Sequence, residues 1–250
     1  MRKVVLLTDL GSNAFELAQL KAAFHASSFD YQLVELSNTI AAQDIIEGHF
    51  FINTLWQNFI SNTVFVISIG LPDSNGAGYM VAECQEKLFI AADNGLLPLM
   101  FNGLSVKYWS LGERVSFENS IQTLIKHNFT IDKQWSEVKN PIEKIIELPM
   151  RTDTVIRSSI VHIDGFGNAY IPLSKAVFLE HTMAKQYVIQ LKRDEMLNSL
   201  SEGFNDVTDG DGLAFFDNSD NFLIIAVKKG NAAGLFGLRK GQYIFVQNIN

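Results

Sequence analysis

Apolar positions recur along this chain in two periods. Val4 to Thr8 is a compact run of β-branched and leucine residues, the pattern of a buried strand. Ala14 to His25 then places Leu17, Leu20 and Phe24 on one helical stripe. Tyr31 to Leu36 reads as a second strand. Gln43 to Phe59 reads as a helix with Ile46, Phe50 and Leu55 among its apolar positions, and Thr63 to Gly70 as a strand dense in Val and Ile. Two strand–helix–strand crossovers predict a parallel sheet covered on both faces. Further strands are expected at Tyr79 to Cys84, Leu88 to Ala92 and Val106 to Leu111, with helical segments after Asn94 and around Ile121 to Lys126.

The texture changes near residue 140. Lys139 to Pro149 is bounded by prolines and mixed in charge, and reads as a linker. Strand-like runs follow at Thr154 to Ile163, Gln186 to Lys192, Leu213 to Phe216, Phe222 to Lys228 and Gln242 to Gln247, most of them separated by Gly and Asp turns. The predicted fold class is therefore α/β. An N-terminal α/β domain with a mainly parallel sheet (residues 1–140) is joined by a linker (141–153) to a smaller, β-rich, barrel-like domain (154–250).

Composition narrows the function classes. At 47% hydrophobic with 19 phenylalanines, the 250 residues can bury a sizeable core, which excludes a mostly disordered chain. A net charge of −7 argues against a nucleic-acid partner, which would need a positive field. The single cysteine, Cys84, excludes an internal disulfide and a cysteine-rich metal site. No run approaches the ~20 apolar residues of a membrane span. Thr8 and Asp9 interrupt the apolar start too early for a signal peptide. A cytoplasmic protein without a membrane partner is expected.

Four motifs are candidates for chemistry. In Thr8-Asp9-Leu10-Gly11, Asp9 falls at the carboxyl end of the first strand, where a carboxylate can take both hydroxyls of a ribose; a turn or helix-cap role is the alternative. Asp93-Asn94-Gly95 reads as a structural turn. His162 and Asp164 share a strand face but lack a third ligand, so no metal site is assigned; Gly165 and Gly167 permit close backbone approach, and Asn168 suits the edge of a base. Asp206 to Gly212 lacks the spacing of a calcium loop and reads as a polar turn. Cys84 reads as an inert core thiol. No glycine-rich phosphate loop, G-x-S-x-G elbow or H-E-x-x-H helix occurs.

Taken in order, these pieces resemble the S-adenosylmethionine hydroxide adenosyltransferases, the family that also contains the fluorinases and chlorinases. The resemblance is carried by Thr8-Asp9-Leu10-Gly11 with Gln19 and Lys21, and by Gln43-Asp44-Ile45 with Glu47-Gly48. Ala92 to Leu97, Asp164 to Asn168, Asn218-Ser219 to Ala226 and Gly230 to Ala233 continue it. It implies an α/β domain followed by a β-rich one. It also implies a homotrimer, with ligand held between neighbouring subunits. The implied reaction is in-line attack at the ribose C5′ of S-adenosylmethionine, releasing methionine and needing no cofactor. Carried over by position, Asp9 would bind the ribose hydroxyls and Asp164 the methionine ammonium. Asn168 would meet the adenine edge, with Phe166 beside it as a ligand-binding position. Ser219 would lie near the methionine carboxylate, and the backbone at Ala232 near adenine.

The residues that would handle the nucleophile differ from the family's hydrolytic pattern. Where hydrolytic members carry Asp in D-P-G-V-G-T, this chain has Ser68, and no Arg follows before Cys84. Where they carry His in T-F-H-G-R-D, it has Glu118, followed by Asn119. Ala14 replaces a common acidic residue, with Glu16 two positions later. Two readings follow. Either Ser68, Glu118 or Asn119 positions a nucleophile in an enzyme that still cleaves S-adenosylmethionine, or the chain is a non-catalytic adenosine or S-adenosylmethionine binder or scaffold.

Overall fold

The computed structural model describes residues 2–26, 30–112, 115–144, 149–183 and 185–249. They belong to two compact units, residues 1–146 and 147–250. The first contains β1 (Arg2–Thr8), α1 (Phe15–His25), β2 (Tyr31–Ser37), α2 (Ile45–Leu55), β3 (Val64–Ser68), β4 (Tyr79–Cys84), β5 (Lys87–Ala92), α3 (Leu96–Met100), β6 (Tyr108–Ser110), α4 (Phe117–Lys126) and β7 (Ser136–Glu137). Its seven strands form one sheet in the order β2-β1-β3-β5-β4-β6-β7. The β2, β1, β3 and β5 strands run parallel, and β4, β6 and β7 extend the sheet by antiparallel pairing.

Side-chain alternation explains the layering. Val5, Leu7, Phe65, Ile67, Phe89 and Ala91 pack on one face with Ile52, Trp56 and the α3 residues Leu96, Leu97 and Met100. Their neighbours Val4, Leu6, Val64, Val66, Leu88 and Ile90 pack on the other with Leu17, Leu20 and Phe24 of α1 and Ile121 and Leu124 of α4. Strands buried on both faces read as continuous apolar runs, which is why the first half of the sequence is so apolar. The α2 helix is shorter than the expected Gln43–Phe59. Asp44 caps it by accepting from the Glu47 amide at 2.9 Å, and a 3-10 turn over Trp56–Asn58 ends it. Gly112, at φ 119°, turns the chain after β6, which is likewise shorter than its expected run.

The second unit contains β8 (Met150–Arg151), β9 (Val155–Ser159), β10 (His162–Ile163), β11 (Ala169–Ile171), α5 (Lys175–Thr182), β12 (Gln186–Lys192), β13 (Glu195–Leu197), β14 (Gly212–Phe216), β15 (Leu223–Val227), α6 (Ala232–Phe236) and β16 (Tyr243–Ile249). The strands form antiparallel sheets of order β10-β11-β15-β14 and β13-β12-β16-β9-β8. One core serves both: Ile156, Ile189 and Val246 of the larger sheet pack with Ala169, Ile171, Ala214 and Ile225 of the smaller, and with Phe178 of α5. Among the described residues neither sheet closes on itself, so the unit is β-rich without being a closed barrel. The run expected as one strand over Thr154–Ile163 is two. The Ile160 N–H donates to Gln242, whereas the Val161 N–H donates to Tyr170, so the chain passes from one sheet to the other at this step.

Of the stretch 141–153, the Ile142 N–H is bonded to the Asp93 side chain and Met150–Arg151 form β8; residues 145–148 lie outside the described residues. Among the described residues no helix is long and apolar enough to cross a membrane.

Candidate functional site

The order of the strands creates a crevice. From β1 the chain runs out to β2, then crosses back over β1 to β3. The direction of winding reverses at β1, so the carboxyl ends of β1 and β3 border the place where open α/β sheets hold ligands. Asp9 stands there. Its N–H donates to the Ser68 carbonyl at 3.0 Å, tying the two strand ends together. Its Oδ2 accepts from two backbone amides, Gln43 N at 2.7 Å and Gly70 N at 2.9 Å. Among the described residues Oδ1 has no hydrogen-bond partner.

The two donating amides are themselves held in place. Gln43 and Gly70 both adopt left-handed φ, 60° and 65°. The Asn94 Nδ2 donates to the Ile69 carbonyl at 2.8 Å, and its Oδ1 accepts from the Leu96 amide at 3.3 Å. Asp93, 1% exposed, accepts from the Ala77 and Ile142 amides at 2.7 and 2.8 Å. Asp93-Asn94-Gly95 therefore works as scaffold, pinning the 69–70 corner that aims an amide at Asp9.

A cavity of about 420 Å³ opens beside Asp9. Ser68 lines it from the end of β3 and Glu118 from the first turn of α4, where a carboxylate also complements the helix dipole. Asn119 is not among the lining residues; its N–H donates to the Ser116 cap at 3.2 Å, while Ser116 itself lines the cavity. The cavity therefore gathers Asp9, Ser68 and Glu118, and adds Glu16 and Gln19 of α1, Gln43 and Tyr79. Tyr79 carries no motif in the sequence. It opens β4, which runs antiparallel to β5, so its first residue lies level with the last residue of β5, Ala92, at the carboxyl ends of the parallel strands. Tyr79 is 8% exposed, its ring packs against Phe117 at 5.1 Å, and burial raises its hydroxyl pKa with help from the Asp9 charge. It is held as a neutral O–H donor.

In the second unit, Asp164, Phe166, Asn168 and Ala232 come together at one corner. The Asp164 Oδ1 accepts from the Phe166 and Asn168 amides at 3.0 and 2.9 Å, and Oδ2 accepts from the Asn168 side chain at 2.9 Å. Its carboxylate is thus engaged by its own loop. Gly167, at φ 84°, accepts from the Ala233 N–H at 2.9 Å, and a Cβ there would come within 2.2 Å of the Asn231 side chain. Only glycine fits, and the loop is locked onto the start of α6, where Ala232 is fully buried. Phe166 is 79% exposed, and among the described residues Asn168 Oδ1 has no partner. Ser219 lies in the β14–β15 turn, where its hydroxyl and N–H both donate to Asp217 Oδ2. His162 packs its ring on Tyr170 at 5.7 Å, and no cluster of three metal-ligating side chains occurs among the described residues.

Comparison with known proteins adds the following. Residues 4–132 match the family model of the SAM hydroxide adenosyltransferase N-terminal domain, and residues 158–245 match that of the C-terminal domain. An uncharacterized conserved protein of Thermotoga maritima has a solved structure that superposes with a TM-score of 0.80 at 16% identity, over 99% of this chain and 100% of that one. A conserved hypothetical protein of Thermus thermophilus superposes with a TM-score of 0.73 at 19% identity, over the whole of both chains. No curated protein matches. At such identities the two structures show a shared fold, whereas the two sequence matches, in order and across both units, show descent: the chain belongs to the SAM hydroxide adenosyltransferase family.

Proposed function

We propose that the cavity beside Asp9 holds the ribose of S-adenosylmethionine, and that the chain cleaves this substrate at C5′ to give adenosine, or a 5′-substituted adenosine, and methionine. The observation that carries this reading is the half-occupied Asp9 carboxylate. Two backbone amides lock Oδ2 and leave Oδ1 for a ligand, in a cavity of about 420 Å³. That volume falls within the range of roughly 300–1,000 Å³ typical of small-molecule sites. A carboxylate so fixed accepts from a ribose diol without further ordering. In this scheme the Ser68 hydroxyl orients the nucleophile, Glu118 faces it across the cavity, and Asn119 supports the turn that presents Glu118. Asp164, Phe166, Asn168, Ser219 and the backbone at Ala232 serve the adenine and methionine ends.

The chemistry asks little of the protein. A sulfonium is already a good leaving group, so orientation and partial desolvation of a small nucleophile supply most of what is needed. The scheme uses no cofactor. It places the protein in a homotrimer, each site completed by a neighbouring copy, and sedimentation of the intact protein is expected to give three chains.

A second reading, a binder without catalysis, is favoured by one observation: Ser68 stands where hydrolytic members carry an aspartate. Incubation with S-adenosylmethionine, with and without chloride, separates the two. Adenosine or 5′-chloroadenosine above the spontaneous background is the expected result. If no product forms but adenosine still raises the melting temperature by mass action, the binder reading holds. A flat response to millimolar adenosine overturns both.

A further inference from the structure

Asp9 and Asn94 hold opposite ends of one peptide group. A trans peptide is a rigid plane whose C=O and N–H point in opposite directions. In the plane that joins Ile69 to Gly70, the N–H donates to Asp9 Oδ2 at 2.9 Å and the carbonyl accepts from Asn94 Nδ2 at 2.8 Å. Asn94 is 8% exposed and is not among the residues lining the cavity, so it reaches Asp9 through this plane. A Cβ at position 70 would lie 3.1 Å from the Asn94 Nδ2, so the side-chain amide also packs against the glycine. Its orientation is set from behind, where Oδ1 accepts from the Leu96 amide at 3.3 Å at the start of α3. The side chain must donate forward and accept behind, and among side chains of this length only asparagine does both at neutral pH. The glycine makes such a hold necessary. Gly70 sits at φ 65°, yet glycine takes negative φ about as readily. Turning the plane over would aim a carbonyl oxygen, in place of the N–H, at the Asp9 carboxylate.

We propose that Asn94 is a positioning residue for the nucleoside: by holding the Ile69–Gly70 plane with its N–H on Asp9, it fixes the carboxylate that receives the sugar. The proposal rests on the reading that Asp9 takes the ribose hydroxyls. It adds a residue that touches no ligand and acts on affinity through one main-chain group. Gln43 N, the second donor to Oδ2 at 2.7 Å, comes from the loop before α2 and stands outside this relay. Only half of the clamp therefore answers to Asn94.

Asn94→Asp keeps an acceptor for the Leu96 amide but brings no donor to the Ile69 carbonyl. Asn94→Ala removes both, and is the second variant should the buried carboxylate hinder folding. Two readouts on the full chain decide. Amide hydrogen exchange of Gly70 reports the plane without any ligand, taken relative to Val66 in strand β3, which is paired on both sides. The Gly70 amide is expected to exchange about tenfold faster in either variant, roughly the scale of one hydrogen bond to a charged group, while Gln43 stays within about twofold. Calorimetric titration should show adenosine binding weakened by about tenfold as well. A merely structural role would loosen the fold as a whole, speeding Gly70 and Val66 together and leaving their ratio unmoved. That pattern, or either readout unchanged in a folded variant, overturns the proposal while leaving nucleoside binding intact. If adenosine does not bind the unmodified protein, the ribose reading fails and takes the proposal with it.

Discussion

Replacing Asp9 with alanine is expected to abolish any thermal shift produced by adenosine and, without ligand, to lower the melting temperature. Both effects follow from one carboxylate with two duties. Oδ2 accepts from Gln43 N and Gly70 N, and alanine leaves both amides without their acceptor. Each orphaned amide costs about 1–3 kcal/mol, less where water can reach it. Oδ1 is the oxygen available to a ligand, and alanine removes it too. Asp9→Asn separates the two duties. Its side-chain carbonyl can still accept from both amides, whereas its NH₂ faces the cavity as a donor where a ribose hydroxyl needs an acceptor. The asparagine variant should therefore melt near the unmodified protein and still show no shift with adenosine. A normal adenosine shift in either variant would contradict the assigned role.

The second large effect is acid sensitivity. Burial pushes the His49 imidazole of α2 down from its ordinary 6.5 to about 4. The unfolded chain takes up a proton at this position as pH drops below 6.5, while the folded chain resists until about pH 4. The contribution is thus fully present above pH 6.5, falls as the pH falls, and is lost by about pH 4. Its total is roughly 3 kcal/mol, because each tenfold difference in proton affinity between the folded and unfolded chain is worth about 1.4 kcal/mol. His181, 3% exposed, is shifted in the same direction, by burial first and by the charge of Arg151 second. Denaturant titrations of the unmodified protein and of His49→Gln at pH 7, 5.5 and 4 isolate the first group. Between pH 7 and pH 4 the unmodified protein should lose about 3 kcal/mol more than the variant, because only one of them carries the penalty. Stability curves that stay parallel would show that His49 protonates freely in the folded state.

The regular parts of the fold are legible in the sequence because the physics that forms them is local. Val4–Thr8 and Val64–Ser68 are apolar on both faces, and only a sheet with helices on each side explains that. Asp9 is legible for the same reason, since it ends such a strand. What periodicity does not carry is strand order and direction. Nothing in Gly78-Tyr79-Met80-Val81 says that this strand runs antiparallel and so delivers its first residue to the crevice, and Tyr79 gives no sign of its place in the cavity on that account. The α5 helix is equally silent although Ser174 caps it, accepting from the Val177 amide at 3.3 Å, because eight residues give too few turns for a clear stripe. The break at Ile160–Val161 leaves no trace in hydropathy, as both residues are buried apolar whichever sheet they join.

The donors that hold Asp9 are main-chain groups. The grip therefore does not depend on which side chains stand at positions 43 and 70, only on a backbone that can take left-handed φ there, which costs about 1 kcal/mol or more for a residue such as Gln43. Sequence can drift around such a clamp while its function is kept. The neighbouring positions 68 and 118 have no such protection, since their side chains alone face the cavity. On the proposed reading, the half of the site that holds the sugar is free to outlast, within one lineage, the half that chooses the incoming group.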